Sequence, residues 1–334
     1  MIEDAAKAAG ADAPQRECSA SLSLRVNELY HDLQASSFNE VHRHRHQIEG
    51  RFWSRVVAAR LLQADASFGV DLCTGTGFVP RVLLSCLPRK VRILCVDLSP
   101  VTLSQAKATL EEFEGQVSFH AGDAASLPLA AESADWVSMN AGLHHIPAPS
   151  SVLREVHRIL KPGGWFCLGH EPNAAFFSSS VLVGIERLIW HLFWYTSPRR
   201  NIGRIKRKLG RQGEQYEAHE HLDAINEALL REHLIQRPLT LAELRKLVDV
   251  HTHGKGEREE KTGFHAAELL REAFPDYSVE LLIHGDFGGE MLRRHRLLRS
   301  AFDAVMGVAF PGKGRLFSWV IRKPLARTAA PVLP

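Results

Sequence analysis

One segment constrains the fold of this chain more than any other: residues 70–77, which read VDLCTGTG. A short apolar run ends there in a loop that contains Gly75 and Gly77, and a helical pattern begins at Val79. Because the two glycines have no side chain, a ligand can approach the loop backbone closely. The order of strand, glycine loop and helix predicts the first unit of an α/β domain, with a ligand at the carboxyl edge of its sheet.

Strand and helix patterns continue to alternate after this loop. Apolar runs predict four further strands, at residues 91–96, 117–120, 136–140 and 165–169. Helical patterns lie between them, one beginning with Ser99 as its cap and Pro100 as its first residue, another running over 151–160. Such alternation predicts a doubly wound, mostly parallel sheet with helices on both faces. Two late apolar runs, at 278–284 and 315–322, predict the last strands.

Composition and pattern divide the chain into six segments. We expect the central 176–276 segment to be a helical insertion that acts as a lid for the substrate. The full division is a disordered N-terminus at 1–20, N-terminal helices at 21–66, the sheet core at 67–175, the insertion at 176–276, the final two strands at 277–324 and a loose tail at 325–334.

Acidic residues follow two of the predicted strands. Asp97 ends the second strand, where a carboxylate can accept hydrogen bonds from both hydroxyls of a ribose. Asp123 follows the third strand, in a position to meet an adenine amino group. Pro80 stands where a dinucleotide-binding fingerprint has its third glycine, which disfavours NAD or FAD. The residues therefore predict an adenosine-containing ligand.

Four sequence blocks together resemble the class I S-adenosylmethionine-dependent methyltransferases, over about residues 68–172. They are VDLCTGTG, VDLS, GDAASLPL and ADWVSMNAGLHHIP, the last followed by REVHRILKPGGWF. The chain is similar to the broad group that includes the quinone-biosynthesis methyltransferases. This resemblance implies a seven-stranded sheet whose last strand is antiparallel, and S-adenosylmethionine as cofactor, released as S-adenosylhomocysteine. One departure is visible, because the family's usual first loop glycine is Cys73 here.

The resemblance also implies which residues bind the cofactor. Asp97 would hold the ribose, Asp123 with Ala124 would hold the adenine, and Asn140 would close the methionine side. Asp71 would orient the loop and the methionine amino group. The complete implied set is Asp71, Thr74, Gly75, Gly77, Asp97, Leu98, Asp123, Ala124 and Asn140.

Histidines and one glutamate at strand ends are the candidates for catalysis. Methyl transfer is an in-line displacement, and an oxygen acceptor must also lose a proton, which a histidine can take near neutral pH. His144 and His145 follow the fourth strand, and His170 and Glu171 follow the fifth. The alternatives are that one histidine of the pair only shapes the cofactor loop, and that Glu171 caps the next segment.

Two other histidine groups invite a metal interpretation. In the run HRHRH at 42–46 the interleaved arginines would repel a cation, so we interpret it as a polar helix face that touches the cofactor's carboxylate. His251 and His253, near Asp249, are interpreted as loop residues. No metal is predicted.

The insertion contains an apolar and aromatic segment at 181–195, followed by seven Lys or Arg residues and no acid at 199–211. An apolar helix beside a basic run can lie in a membrane interface, where it would collect a lipophilic acceptor such as a prenylated quinone. The alternative, which we favour, is a lid whose aromatic side chains line a closed pocket. Both interpretations predict an apolar acceptor.

The leading functional prediction is methyl transfer to an oxygen or carbon of an apolar small molecule, aromatic or lipophilic. The alternative is a catalytically silent accessory or regulatory subunit that binds S-adenosylmethionine or S-adenosylhomocysteine. A nucleic-acid substrate is disfavoured, because the net charge is only +3 and no Asn/Asp-Pro-Pro-Tyr-type motif follows the fourth strand. We find no signal peptide, membrane-spanning run or CxxC pair, which predicts a cytoplasmic protein, peripheral to the membrane if the 181–211 segment meets lipid.

Overall fold

A seven-stranded sheet forms the centre of the computed structural model, which describes residues 13–196, 214–251, 263–289, 292 and 295–325. The strand order is β3-β2-β1-β4-β5-β7-β6. In chain order the strands are Phe68–Leu72 (β1), Arg92–Asp97 (β2), Val117–Ala121 (β3), Ala134–Asn140 (β4), Leu160–Pro172 (β5), Ser278–Gly285 (β6) and Leu316–Arg322 (β7).

Pairing within the sheet confirms the predicted fold class. Strands β1 to β5 pair in parallel, and β7 lies antiparallel between β5 and β6. β1 is buried on both faces after its first residue, as expected for a central strand of a parallel sheet. Gly69 is required on this strand, since a Cβ there would stand 1.9 Å from Cε2 of Trp136 on β4.

Helices cover both faces of the sheet. They are Ala13–Val41 (α1), Arg43–Arg51 (α2), Ala58–Gln63 (α3), Phe78–Leu84 (α4), Pro100–Thr109 (α5), Pro149–Ile159 (α6), Ala174–Phe177 (α7), Ser180–Thr196 (α8), Glu214–Arg231 (α9), Leu241–Val248 (α10), Ala266–Ala273 (α11) and Arg296–Ala309 (α12). A π-helix, Phe52–Val57, joins α2 to α3.

Two hydrophobic clusters fix these helices on the sheet. One face of the sheet packs on α6 and α11, for example through Val152, Val156 and Leu270. The other face packs on α3, α4 and the π-helix, with Leu61 and Leu83 fully buried. Burial of each such side chain contributes about 1.5–3 kcal/mol.

The N-terminal helix α1 packs on two helices of the insertion. Val26 of α1 is fully buried in a cluster with Leu222 and Leu229 of α9 and Leu244 and Val248 of α10. Residues 13–20, the end of the segment whose composition predicts disorder, lie in the first turns of α1. The six-part division stays a prediction.

In the described part of 176–276 the regular elements are helices, α7 to α11, as the sequence predicts, and Phe264 forms one isolated β-bridge with Asn173. The basic run at 199–211 and His253 lie outside the described residues. Helix α12, between the last two strands, is an element that the sequence analysis did not predict. No helix in the described ranges is long and apolar enough to cross a bilayer.

Candidate active site

A cavity of about 420 Å³ lies at the carboxyl ends of β1, β2 and β4, the edge at which parallel sheets bind ligands. Helices α1, α2 and α10 form its other walls. Ten of the thirteen site residues predicted from the sequence line it. They are Asp71, Thr74, Gly75, Asp97, Leu98, Asp123, Ala124, Asn140, His144 and His145. Gly77, His170 and Glu171 do not line it.

Asp71 anchors the glycine loop from inside the sheet. Its side chain is buried and accepts hydrogen bonds from Ser138 Oγ, at 2.6 Å, and from Thr74 Oγ1, at 2.5 Å. Burial raises the pKa of Asp71 to about 7, although these two hydrogen bonds act in the opposite direction. The carboxyl group holds the loop through these two hydrogen bonds.

The loop itself makes room for a ligand at one residue. Gly75 has a left-handed backbone with φ of +54°, and a Cβ added to it would meet no atom within 4 Å. Because Gly75 lines the cavity, that position is an open cradle at the cavity wall. Gly77 serves the packing of the loop instead, since it has φ of +88° at the N-terminus of α4 and packs against Leu110.

Asp97 joins the second strand to both the loop and the following helix. Its Oδ2 accepts from Gly75 N at 2.7 Å, and its Oδ1 accepts from Ser99 N at 3.0 Å and Thr102 Oγ1 at 3.1 Å. Burial raises the pKa of Asp97, against the effect of these hydrogen bonds. Asp123 lies across the cavity, where its Oδ1 accepts from Ala125 N at 2.9 Å.

Glu171 organises the loop that carries the paired histidines. Its carboxylate is fully buried and accepts hydrogen bonds from the backbone N–H groups of Gly142, Leu143 and His144, at 2.8, 2.9 and 3.2 Å. His144 Nδ1 also lies 2.9 Å from Glu171 Oε2. Burial alone would raise the pKa of Glu171, but the neighbouring His144 and these hydrogen bonds lower it. An ionised carboxylate can only accept, so Nδ1 of His144 carries a proton and Nε2 is the atom that can take another.

His145 lies beside His144 and is held by the insertion. Its Nδ1 donates to the carbonyl oxygen of Val248 at 2.9 Å, and its ring contacts His31 of α1 at a centroid distance of 5.0 Å. Burial lowers the pKa of His145 to about 4, and repulsion from His144 acts in the same direction. Burial likewise lowers the pKa of His31 to about 3. Both rings are therefore neutral at physiological pH.

Asn140 connects β4 to the π-helix and α2. Its Oδ1 accepts from Trp53 Nε1 at 3.1 Å and lies 2.9 Å from His170 Nδ1, while its Nδ2 donates to Glu49 Oε2 at 2.9 Å. Arg45 donates to the same glutamate at 2.6 Å. Burial alone would raise the pKa of Glu49, but the charges of His170 and Arg45 lower it to about 2. His170 lines a second, smaller cavity of about 90 Å³ behind this network.

Helices α1 and α2 supply cavity residues that the sequence analysis missed, among them Asn27, Tyr30, His31 and Glu49. The 42–46 run is an exception, because the sequence predicts that it touches the cofactor. His42, Arg45 and His46 of this run line the cavity. The ring of His46 stacks on that of Phe78, with 4.2 Å between the ring centroids. The cavity residues that were not predicted are isolated polar residues on helices. No local sequence motif distinguishes them from polar helix residues that face water.

One group of described residues has the spacing of a cation site. His144, His145 and Asp249 each offer a ligand atom within 4.8 Å of the other two. Nδ1 of each histidine is already engaged, with Glu171 and with Val248 respectively. The absence of a metal stays a prediction from the sequence.

Residues 70–168 match the family model of a methyltransferase domain. Among curated relatives, the chain is 36% identical over 117 residues to a demethylmenaquinone methyltransferase of Chlamydia caviae, which covers 35% of this chain and 48% of that protein. It is 36% identical over 124 residues to a ubiquinone/menaquinone biosynthesis C-methyltransferase of Desulfotalea psychrophila, covering 36% and 49% of the two chains. The chain thus spans about half the length of the curated relatives it matches.

Among solved structures, the chain is similar to a putative S-adenosylmethionine-dependent methyltransferase of Methanococcus maripaludis. The TM-score is 0.44 at 12% sequence identity, covering 91% of this chain and 96% of that one.

Proposed function

We propose that this chain transfers the methyl group of S-adenosylmethionine to an oxygen or carbon of an apolar small molecule that carries a hydroxyl group, because residues 70–168 match the family model of a methyltransferase domain. When bound, the cofactor supplies a methyl group on a positively charged sulfur. The chain's own residues must hold the cofactor, orient the acceptor and take up a proton.

The cavity walls fit this cofactor. The open cradle at Gly75 lets a ligand reach the loop backbone. Asp97 would hold the ribose, and Asp123 with Ala124 would hold the adenine. Arg45 and Asn140 lie on the side where the methionine part would be held.

The observation that carries an enzymatic role is the pairing of His144 with Glu171 beside this cavity. Glu171 fixes the ring by holding Nδ1–H, so that Nε2 can accept a proton from the acceptor. The buried carboxylate also stabilises the imidazolium that results. In this assignment His144 is the base and Glu171 is a positioning residue that acts through it.

Asn27 of α1 supports an acceptor with a hydroxyl group. Its Nδ2 donates to the carbonyl oxygens of Ser23 and Leu247, each at 2.9 Å, and this fixes the orientation of the amide. Asn27 lines the cavity, and its Oδ1 is fully buried without a hydrogen-bond partner among the described residues. A buried carbonyl oxygen is costly unless a donor reaches it, and an O–H group of the acceptor could be that donor.

The remainder of the acceptor space is apolar and aromatic. Leu24, Tyr30, Phe38, Ile146 and Val248 line the cavity beside Asn27 and the histidines. The relatives named demethylmenaquinone methyltransferases support an acceptor of the quinone class.

Calorimetric titration of the full chain with S-adenosylmethionine and S-adenosylhomocysteine tests the cofactor assignment, with NADH as the negative control. We expect Asp97→Ala to weaken binding of both at least about tenfold, because it removes a charged hydrogen-bond acceptor from the site. Asp135→Ala is the matched control. Asp135 also accepts backbone hydrogen bonds beside β1, from Ser67 and Phe68, but lies outside the cavity lining. Equal losses in the two variants would contradict the assignment.

The second candidate function is binding of the cofactor without turnover. Catalysis and binding without turnover are distinguished by incubating the protein with radiolabelled cofactor and a pool of apolar phenols and hydroquinones. Transfer that His144→Gln abolishes without loss of S-adenosylhomocysteine affinity supports the enzyme. Tight binding with no transfer to any acceptor supports an accessory or regulatory role.

A further inference from the structure

His170 has a backbone conformation that is unusual for a histidine in a strand. Its φ is +59°, in the left-handed region that the Cβ of an ordinary residue disfavours. The cause is a β-bulge, since Gly169 and His170 of β5 together lie opposite the single residue Ser318 of β7. The N–H of His170 donates to Ser318 Oγ at 2.9 Å, in place of a bond of the sheet ladder. Residues in such conformations persist only when their surroundings hold them, and they concentrate at ligand sites.

The bulge changes which face of the sheet each side chain reaches. Along β5, Phe166 and Leu168 point to the face covered by α6 and α11, so regular alternation would place His170 there too. Instead the ring of His170 lies at the opposite face, where its centroid is 5.7 Å from that of Phe52 in the π-helix. Glu171 is turned in exchange toward the loop that carries the paired histidines. One inserted residue therefore directs His170 and Glu171 to different parts of the site.

The ring of His170 fixes the orientation of the Asn140 amide. Its Nδ1 lies 2.9 Å from Asn140 Oδ1, which also accepts from Trp53 Nε1 at 3.1 Å. An indole N–H can only donate and an amide oxygen can only accept, so Nδ1 of His170 is the donor in this pair. The amide nitrogen then points to Glu49, where it donates to Oε2 at 2.9 Å. Two donors on one side and a carboxylate on the other leave this amide a single orientation.

Glu49 connects the amide to the guanidinium of Arg45. The carboxylate of Glu49 is buried, and its Oε1 accepts from Arg45 Nε at 2.6 Å. Arg45 lines the large cavity, and among the described residues it is the only Lys or Arg that does so. A guanidinium has further N–H donors on its two terminal nitrogens, and their planar arrangement matches a carboxylate. Arg45 is therefore the cation best placed to bind a ligand carboxylate in this cavity.

The proposed cofactor has a carboxylate at its methionine end and none at its adenosine end. In the proposed function Asp97 and Asp123 hold the adenosine, while Arg45 and Asn140 line the cavity on the methionine side. The hydrogen bonds that begin at His170 lead to that second pair. Loss of the ring should therefore disturb one end of the cofactor and spare the other.

We propose that His170 is a positioning residue for the carboxylate end of the cofactor. Through Asn140 and Glu49 its ring holds the guanidinium of Arg45 in the orientation that meets the cofactor's carboxylate. This assignment rests on the proposed function, because it takes S-adenosylmethionine as the ligand. The sequence names His170 as a candidate for catalysis, but the ring does not line the large cavity, so it acts through other residues.

Calorimetric titration of the full chain with two ligands tests the assignment. S-adenosylhomocysteine carries the carboxylate, and methylthioadenosine has the same adenosine and sulfur without it. We expect His170→Gly to weaken binding of S-adenosylhomocysteine about tenfold, the scale of one hydrogen bond to a charged group, and binding of methylthioadenosine less than about twofold. Arg45→Gln should show the same selectivity. Adding His170→Gly to Arg45→Gln should change the affinity less than about twofold further, since the two residues act through one contact.

His233→Gly is the matched control, because His233 is an exposed histidine with φ of +57° in the turn after α9. The change removes the same side chain from the same backbone conformation, and both affinities should stay within about twofold of the wild type. If His170→Gly does not fold, His170→Asn serves the same test, because asparagine tolerates left-handed φ and its side chain is shorter than that of histidine. It should show the same selective loss.

Equal weakening of the two ligands by the His170 variant would overturn the proposal, because the residue would then serve only the fold. Unchanged affinity for S-adenosylhomocysteine would overturn it as well. Failure of the wild type to bind either ligand would instead contradict the proposed function, and this assignment with it.

Discussion

At the scale of single residues, Cys73 shows how the site tolerates a departure from the pattern of the methyltransferases that it resembles. Cys73 stands where those proteins usually have a loop glycine, and it adopts a left-handed backbone with φ of +51°. A non-glycine residue in that region costs about 1–2 kcal/mol. Its side chain has space only because residue 142 is glycine, since a Cβ there would stand 2.6 Å from Cys73 Cβ and 3.0 Å from Sγ. The two positions are therefore coupled.

Gly142→Ala should lower the free energy of unfolding by about 2 kcal/mol through overpacking against Cys73. Cys73→Gly in the same chain removes the clashing atoms, so the double variant should recover at least half of that loss. Urea unfolding of the wild type, both single variants and the double variant measures the coupling. Additive single effects would show that the two side chains do not compete for space.

Glu171→Gln should lower both stability and cofactor affinity, because Glu171 accepts three backbone N–H groups of the histidine loop as well as His144 Nδ1. An amide presents N–H groups to some of these donors, and we expect a loss of about 2–4 kcal/mol in the free energy of unfolding. Calorimetric titration with S-adenosylhomocysteine measures the loss of cofactor affinity.

Glu155→Gln is the comparison for this variant. Glu155 is also a buried carboxylate, which accepts from Leu127 N at 2.8 Å and pairs with Arg158, but it lies outside the cavity lining. The Glu155→Gln variant should have a lower free energy of unfolding and an unchanged affinity for S-adenosylhomocysteine. If Glu171→Gln kept full affinity, Glu171 would have no positioning role in the site.

At the scale of elements, the cavity is closed by helices from two distant parts of the chain. Asn27 and Ser23 of α1 donate to the carbonyl oxygen of Leu247 in α10, at 2.9 and 2.6 Å. Arg25 makes a paired contact with Glu232, at 2.6 and 2.9 Å. The end of α10 in turn holds His145 through Val248 O. The position of α10 therefore affects the site directly.

Thr240→Ala tests how α10 is held. Thr240 and Glu243 form a reciprocal capping box, with Glu243 N donating to Thr240 Oγ1 at 3.2 Å and Thr240 N donating to the carboxylate at 2.8 Å. Loss of the hydroxyl should cost about 1 kcal/mol of unfolding free energy. Thr240→Ser retains the acceptor and should remain within about 0.5 kcal/mol of the wild type. Equal urea midpoints for the two variants would mean that the cap contributes nothing.

At the scale of the whole molecule, the packing of α1 and α10 over the sheet edge leaves the rings of His31 and His145 half-buried. The pKa of His145 falls to about 4 and that of His31 to about 3 because of this burial. A histidine whose folded pKa is depressed binds its proton more readily in the unfolded chain, so acid favours unfolding. The stability due to the two rings is complete above about pH 6.5 and is lost as pH falls toward 4.

His145→Asn keeps a donor for Val248 O and removes the titrating ring. Between pH 7 and pH 5 the wild type should lose about 2 kcal/mol more unfolding free energy than this variant. His233→Asn, at an exposed histidine with φ of +57°, should follow the wild type. Parallel pH profiles for His145→Asn and the wild type would show that His145 is not protonated on unfolding.

Much of the fold and of the cofactor side of the site could be predicted from the sequence. Local patterns were enough to predict the loop at 70–77, Asp97 and Asp123. Each of them follows a strand that the sequence shows as a run of apolar residues. The carboxyl ends of parallel strands then meet at one edge without further information. The insertion and the last two strands were also predicted from pattern alone.

Other features depend on contacts between residues far apart in the chain. Asn27 and His31 became cavity residues only because α1 packs on α10, and Glu171 serves the site through His144 instead of lining it. The sequence also could not predict that an apolar face of α12 points outward. The spacing of its apolar residues is the same whichever face is buried. The sequence by itself determined the order of elements and the residues at the sheet edge, since these follow from local periodicity. Only the tertiary structure decided which helices cover that edge and which apolar faces stay exposed, because burial is set by long-range packing.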